Sequence, residues 1–455
     1  MDVPGYPLIF EINKGDSFKI VREYKNNKTE KFLTLKDIRL YTEFNSWFPD
    51  SLGKCNYYKA EVDISVSGKS CTLYFQPYQM PQKFNGLKIY VEAVKSMDKI
   101  PNLDPVEKIE KDVRLSVSME NEPWGDPGSL EFPLNDYRWR SASYNNTWSA
   151  LVPFNALYYH RGDDYGAIPD MIDICSFADG EVVQSPLPSG PKGSNSVRIR
   201  NINGITFDYH HGNYETIDTS VQIGRNIKKG QYIGKTGMTW NGTKSQHSDP
   251  HVHLGMSYNG FQISPFPYLI ESYLRKYKDK VLAVAGGYRF VKTGDSLEID
   301  ATRSICPEGK NIKSYQWVLH DGNIVNKPVA KVFYPKSGYY SEELIVNTKN
   351  GDIDKDFLQV RVNDPDGGRS VAYGWAYYYP VRNIRPGQSI LFWNRLINTK
   401  EEVVIDFGDG TAAAKIDNEI HHAYGKAGNY TVELSSRGIN NEVVSVKLEV
   451  IVEPN

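Results

Sequence analysis

The sequence predicts an all-β, multidomain protein, and three observations lead to this fold class. Almost every segment alternates apolar and polar residues at period two, which is the spacing of a half-buried strand. Gly, Pro, Asn and Asp separate these runs, as turn residues do. Helical periodicity is nearly absent, and the best helix candidate is a short run at residues 267–274.

At 455 residues the chain is too long for one hydrophobic core. Strand-like runs between residues 8 and 118 predict a β-sandwich-like N-terminal domain. The Pro- and Gly-rich stretch at 121–128 has the composition of a linker. The predicted domains are 1–118, 119–278, 279–364 and 365–455.

The bulk composition excludes several partners. A formal net charge of −2 gives no reason to expect nucleic acid or an anionic membrane. No apolar run approaches the roughly 20 residues that a transmembrane segment needs. The N-terminus has neither the basic nor the apolar region of a signal peptide. Taken literally, this start predicts a cytoplasmic protein, and it is also what remains once a signal peptide is removed. No oligomeric state is predicted.

The four cysteines form no CxxC pair, so a thiolate zinc site or a thioredoxin motif is not expected. Cys55 and Cys71 lie on successive strand-like runs. Two interpretations stay open for them, a disulfide across a hairpin and isolated buried thiols.

Histidines cluster in one part of the chain. His251 and His253 are two residues apart, so in a strand both imidazoles project from the same face. His160 and Asp164 belong to a Gly-containing segment, and two His with one Asp make a catalytic zinc set that leaves a fourth position for water. Six of the nine histidines lie between residues 160 and 253: His160, His210, His211, His247, His251 and His253.

A hairpin carries two of these histidines. Residues 197–202 run into Asn-Gly, a strong two-residue turn signal, and return as residues 205–211. Alternation on the return strand places His211 on one face with Phe207 and Tyr209. His210 lies on the opposite face.

With these motifs in order, residues 150–265 resemble the LytM/lysostaphin-type zinc metallopeptidases, which cut peptide bonds in peptidoglycan. That family carries HxGxD, then Tyr-x-His, then HxH, and this sequence has them at 160–164, 209–211 and 251–253. Two scaffold segments also resemble the family, Ala-Asp-Gly-Glu-Val-Val at 178–183 and a Gly-bounded hairpin at 223–234. The resemblance identifies 119–278 as a LytM-like zinc peptidase domain.

The resemblance implies Zn²⁺ as cofactor, with His160, Asp164 and His253 as its ligands. It implies His211 and His251 as two catalytic imidazoles that handle the proton of a metal-activated water and stabilise the oxyanion. Which imidazole is the base stays open, and no substrate-binding residues are predicted.

The sequence departs from the family pattern at several positions. Asp163 is a second carboxylate beside Asp164, ranked below it on spacing. His210 replaces His211 in catalysis if the strand bulges. His247, just before the HxH motif, either reaches the site or is an exposed loop residue. Gly212 stands where the family often has Leu.

The C-terminal half resembles a second family. Residues 406–411 and 427–434 resemble the PKD (polycystic-kidney-disease-type) repeat, a small Ig-like β-sandwich, and a weaker copy implies a diverged repeat over 279–364. Asp406 and Asp409 either bind calcium or form a structural turn. Such modules imply an extracytoplasmic protein (periplasm, cell surface or secreted) whose signal peptide is missing from this sequence.

Three functions follow as hypotheses. The first is a zinc endopeptidase that cleaves peptide cross-links or stems of peptidoglycan, with the β modules supplying reach or anchoring. The second keeps the metal site for lyase-type proton abstraction on another cell-surface polymer, a polysaccharide. The aromatic- and Arg-rich stretch at 137–148 would then stack on sugars, although ordinary packing also accounts for it. The third is an inactive, peptidase-like binding protein.

Overall fold

The computed structural model describes residues 6–24, 26–44, 55–97, 109–126, 128–153, 157–190, 196–240, 243–244, 249–258, 260–307, 311–364 and 372–455. Within these ranges the fold is built almost wholly from β-strands, together with one 12-residue α-helix. The prediction of an all-β, multidomain protein is confirmed. No helix in the described ranges is long and apolar enough to cross a membrane.

Two four-stranded antiparallel sheets form the N-terminal region. Their strands are β1 (Leu8–Ile12), β2 (Ser17–Tyr24), β3 (Asn27–Phe44), β4 (Cys55–Val66), β5 (Lys69–Phe75), β6 (Gln82–Phe84), β7 (Leu87–Val94) and β8 (Val113–Met119), with a 3₁₀ turn at Lys95–Met97. The sheet orders are β2-β3-β4-β5 and β1-β8-β7-β6. Alternate side chains of both sheets, among them Leu33, Val62, Ile89 and Leu115, share one apolar core, so this region is the predicted sandwich.

The predicted hairpin around the first two cysteines exists, but the disulfide interpretation is wrong. Cys71 on β5 is a free thiol and pairs with Ile64 on β4. Cys55 lies nine residues before Ile64 on the same strand, which corresponds to about 30 Å along the strand at ~3.3 Å per residue. The register therefore keeps the two cysteines apart.

The central region contains a large antiparallel sheet. Its elements are β9 (Asn145–Asn146), β10 (Leu151–Pro153), β11 (Leu157–Tyr159), β12 (Asp163–Gly166), β13 (Asp173–Cys175), β14 (Gly180–Gln184), β15 (Val197–Arg200), β16 (Ile205–His210), a 3₁₀ turn at Tyr214–Thr216, β17 (Asn226–Ile227), β18 (Tyr232–Lys235), β19 (Thr239–Trp240), β20 (Thr243–Lys244), β21 (His251–Tyr258), β22 (Phe261–Gln262) and α1 (Phe266–Tyr277). The eight-stranded sheet has the order β17-β14-β15-β16-β21-β12-β9, with β22 beside β21. One face, including Ile199, Phe207 and Val252, is buried in the core, and the opposite face is polar. The predicted Asn-Gly hairpin is β15–β16.

The helix predicted at residues 267–274 is confirmed and is slightly longer. Pro267 suits its first turn, where backbone N–H groups have no helical partner. The helix ends at Tyr277, and the following residue, Lys278, caps it with a left-handed backbone (φ 58°) whose N–H donates to Leu274 O. Tyr268 and Tyr273 bury its inner face.

The C-terminal half consists of β23 (Arg289–Lys292), β24 (Ser296–Asp300), β25 (Ile312–Val318), β26 (Ile324–Val325), β27 (Val329–Phe333), β28 (Gly338–Thr348), β29 (Ile353–Asn363), β30 (Ala376–Tyr379), β31 (Ile390–Asn394), β32 (Val404–Asp406), β33 (Ala414–Lys415), β34 (Glu419–His422), β35 (Gly428–Arg437) and β36 (Val443–Val452). One sheet, β23-β29-β28-β36-β35-β32-β33, runs through both regions predicted as separate Ig-like units. Its junction is a parallel pairing of β28 with β36 at Gly338–Val443 and Tyr339–Val444. The two regions are thus joined edge to edge.

The connecting segment (residues 119–150), which includes the stretch of linker-like composition, forms two buried ion pairs with the terminal regions. Glu122 forms a buried ion pair with Arg22 of the N-terminal sandwich (2.5 Å). Arg138 forms another with Glu449 of the C-terminal sheet (2.5 Å). Buried pairs of this kind demand matched geometry, so the segment holds the terminal regions against the central sheet.

Most of the aromatic stretch at 137–148 belongs to the core. Tyr137, Trp139 and Trp148 are buried, and the first two pack edge-on against other rings. These three side chains therefore pack in the core and are not exposed to stack on sugars. Tyr144 is different and is described with the site.

Candidate metal centre

The register of β12 and β21 brings three predicted ligands together. Asp164 lies directly opposite His253. Asp164 Oδ1 is 2.9 Å from His253 Nδ1 and 3.1 Å from His160 Nε2, and the two ring nitrogens are 3.0 Å apart. Donor atoms that share one tetrahedral zinc ion are separated by roughly 3.3 Å, given bonds of about 2.0–2.2 Å. Two imidazoles and one carboxylate at this spacing fit a zinc ion.

His160 is oriented by its own loop. Its backbone N–H donates to Ala150 O (2.8 Å), and its Nδ1 lies 3.2 Å from Thr147 O. Donation from Nδ1 to that carbonyl leaves Nε2 facing the centre, which is how outer partners orient metal-binding histidines. The Gly of the HxGxD motif is needed for a steric reason, because a Cβ on Gly162 would lie 2.4 Å from the His253 ring.

The predicted catalytic imidazoles lie side by side next to these ligands. His251 projects from the same face of β21 as His253, and its Nδ1 donates to Asp249 O (2.5 Å). Its Nε2 therefore points toward the centre, 3.8 Å from Asp164 Oδ1. The ring of His211 lies 4.6 Å from that of His251, centroid to centroid. His211 directly follows β16 and has a left-handed backbone (φ 64°), which turns its side chain away from the core face.

Burial and charge set the protonation states here. Burial opposes ionisation of Asp164, but the neighbouring His160 and His251 outweigh it and hold the pKa of this carboxyl well below its ordinary value. Burial also lowers the pKa of His251. The centre thus combines an anionic carboxylate with an imidazole that is neutral near pH 7.

The alternatives raised by the sequence have different outcomes. Asp163 lies on the opposite face of β12, where it is buried and burial raises its pKa well above the ordinary value, so it does not join the three ligands. His210 pairs with His253 across β16 and β21, and their rings are 5.3 Å apart. Burial lowers the pKa of His210 to about 3. The structure therefore brings both His210 and His211 to the centre, whereas His247 lies outside the described residues.

Sequence reasoning missed one side chain at the centre. The hydroxyl of Tyr144 donates to Asp164 Oδ2 (3.2 Å), and its ring centroid is 4.7 Å from that of His251. The one sequence feature that pointed to Tyr144 was its position in the aromatic-rich stretch at 137–148. That feature does not distinguish Tyr144 from the neighbouring aromatic residues that pack in the core.

The model of peptidase family M23 matches residues 158–265, and the model of the PKD domain matches residues 281–362. The second match falls within residues 279–364, the region predicted to be a diverged repeat. The clearer repeat predicted over 365–455 stays a prediction.

Solved structures give further similarities. One is a structure from Ruminococcus gnavus named as a glycyl-glycine endopeptidase LytM, at 23% identity, over 32% of this chain and 61% of that chain, with a TM-score of 0.24. The fibronectin(III)-like modules of Clostridium thermocellum CbhA match at 13% identity, over 38% of this chain and 94% of theirs (TM-score 0.16). SGBP-B of a Bacteroides ovatus glucan utilisation locus matches at 17% identity, over 38% of this chain and 47% of that chain (TM-score 0.16). Residues 158–265 of this chain form a peptidase family M23 domain, followed by a PKD domain at residues 281–362.

Proposed function

We propose that this protein is a zinc-dependent endopeptidase that hydrolyses peptide bonds in the stems or cross-links of bacterial peptidoglycan, outside the cytoplasm. One observation carries the proposal. His160, Asp164 and His253 place their ligand atoms within 4.8 Å of one another inside a family M23 domain, with three further imidazoles beside them, those of His210, His211 and His251. A complete set of ligands and imidazoles favours an active enzyme over an inactive, peptidase-like binding protein.

His160, Asp164 and His253 would hold the metal. A bound zinc ion supplies Lewis-acid polarisation of the scissile carbonyl and lowers the pKa of water. His251 keeps its Nε2 lone pair toward the centre, because Nδ1 donates to Asp249 O. That nitrogen accepts a proton from the attacking water and returns it to the leaving amide nitrogen as the C–N bond breaks. While the water attacks, before the C–N bond breaks, an N–H of His211 stabilises the negative charge that develops on the carbonyl oxygen.

The test is product analysis of purified peptidoglycan after incubation with the zinc-loaded protein. We expect mass spectrometry to detect new amine and carboxyl termini in the peptide stems or bridges, and the His211→Ala variant to leave the polymer intact. Release of an unsaturated sugar that absorbs in the near ultraviolet, from this polymer or from a uronic-acid polysaccharide, would show that the protein is a lyase and not a peptidase. Binding of peptidoglycan without any cleavage would mean an inactive binding protein.

A further inference from the structure

Tyr144 reaches the metal centre from outside the M23 domain. The domain match begins at residue 158, and Tyr144 lies 14 residues earlier, in the connecting segment. Its hydroxyl donates to Asp164 Oδ2 (3.2 Å), while the other carboxylate oxygen, Oδ1, is the one that faces His160 and His253. The side chain is 5% exposed, so the hydroxyl is positioned inside the protein.

The central sheet fixes one side of this tyrosine. Strand β9 follows it directly and pairs with β12, with Asn146 opposite Asp164. The backbone N–H of Gly166 donates to Tyr144 O (3.2 Å). A Cβ on Gly166 would lie 2.4 Å from that carbonyl oxygen, so only glycine permits this close approach.

The C-terminal half holds the other side. Ser143 and Ala376 exchange two hydrogen bonds, Ser143 N to Ala376 O (3.0 Å) and Ala376 N to Ser143 Oγ (2.8 Å). The ring of Trp375 packs edge-on against Tyr144, 5.2 Å between centroids. Trp375 Nε1 in turn donates to the Tyr288 hydroxyl (2.8 Å), and this hydroxyl donates to Ser143 O (3.4 Å). Residues from both C-terminal regions therefore hold the backbone and the ring at the centre.

We propose that Tyr144 is a positioning residue for the metal centre, held in place by the C-terminal half of the chain through Trp375. The hydroxyl fixes Asp164 Oδ2, so that Oδ1 stays turned toward His160 and His253, and the ring supports His251. The C-terminal half is then a structural part of the centre, in addition to any role as spacer or anchor. The inference rests on the proposed zinc site but does not depend on what the enzyme cleaves.

Outer partners of this kind typically contribute 10–100-fold to metal affinity or activity. We expect Tyr144→Phe in the full-length protein to weaken zinc binding by about that factor, measured by competition with a chromophoric chelator. The matched control is Tyr424→Phe, which removes another buried hydroxyl, one that donates to Phe407 O (3.0 Å) and not to a residue of the centre. Zinc affinity should be unchanged in the control.

The coupling to the C-terminal half has its own pair of variants. Trp375→Ala should weaken zinc binding in the same direction, and Trp375→Phe, which keeps an edge-on aromatic contact, should restore most of the affinity. Unaltered zinc affinity in a folded Tyr144→Phe protein would overturn the role of the hydroxyl. If Tyr144→Phe did not fold, the zinc affinities of Trp375→Ala and Trp375→Phe would provide the test. Equal zinc affinities in Trp375→Ala and the wild type would then overturn the proposal. Because the readout is zinc affinity, a failure of the peptidase hypothesis alone would leave these results unchanged.

Discussion

Replacing His160 with alanine should empty the metal centre and abolish hydrolysis. The substitution removes one of three protein ligands and leaves Asp164 with fewer partners in a buried site. Lewis-acid catalysis lowers the activation barrier by several kcal/mol, so we expect turnover to fall by about 10³-fold or more when it is lost. Elemental analysis of the purified protein should find zinc near one equivalent in the wild type and close to none in the variant.

His421→Ala is the matched control for this experiment. His421 is an exposed imidazole in the C-terminal half, where it contacts the Ser389 hydroxyl (3.1 Å). Its removal should change neither zinc content nor turnover. Full zinc content in His160→Ala together with wild-type turnover would show that His160 is not a ligand.

Replacing His211 with alanine should give the opposite combination, full zinc content with little turnover. The His211 ring lies beside His251 and is not one of the three residues whose ligand atoms converge. Loss of one imidazole that transfers a proton or stabilises the oxyanion typically costs 10²–10⁴-fold, and we expect a loss of that order in kcat. Steady-state kinetics on a defined cross-linked peptide, alongside zinc analysis, measures both quantities.

His210→Ala is the informative comparison, because the two histidines are adjacent in sequence and both reach the centre. We expect the large loss of turnover in His211→Ala. If His210→Ala lost turnover by that factor while His211→Ala retained it, the assignment of the two imidazoles would be reversed.

The convergence of His160, Asp164 and His253 could be predicted from sequence because the motifs are local. Two histidines two residues apart in a strand must share a face, whichever strand lies beside them. The choice between Asp163 and Asp164 needed the strand register, and spacing alone only ranked them. The direction of the His211 side chain could not be predicted in this way, because strict strand alternation would direct it into the core. The left-handed backbone after β16 reverses that direction.

Long-range contacts explain what the sequence did not reveal. The parallel pairing of β28 with β36 joins residues more than a hundred positions apart, and hydrophobic periodicity does not specify a strand's partner. The connecting segment has a linker-like composition, but the buried partners Arg22 and Glu449 lie far from it in sequence. Tyr144 reaches the centre through such contacts, so its role is visible only in the folded chain.

Anomalous diffraction at the zinc absorption edge, from crystals of the zinc-loaded protein, would locate the metal and identify its ligands. We expect one strong peak among His160, Asp164 and His253, at about 2.0–2.2 Å from one atom of each. We also expect Asp164 Oδ2 still to accept a hydrogen bond from the Tyr144 hydroxyl. A peak ligated by Asp163, His210 or His211 instead, or no peak at this position, would contradict the assigned metal centre.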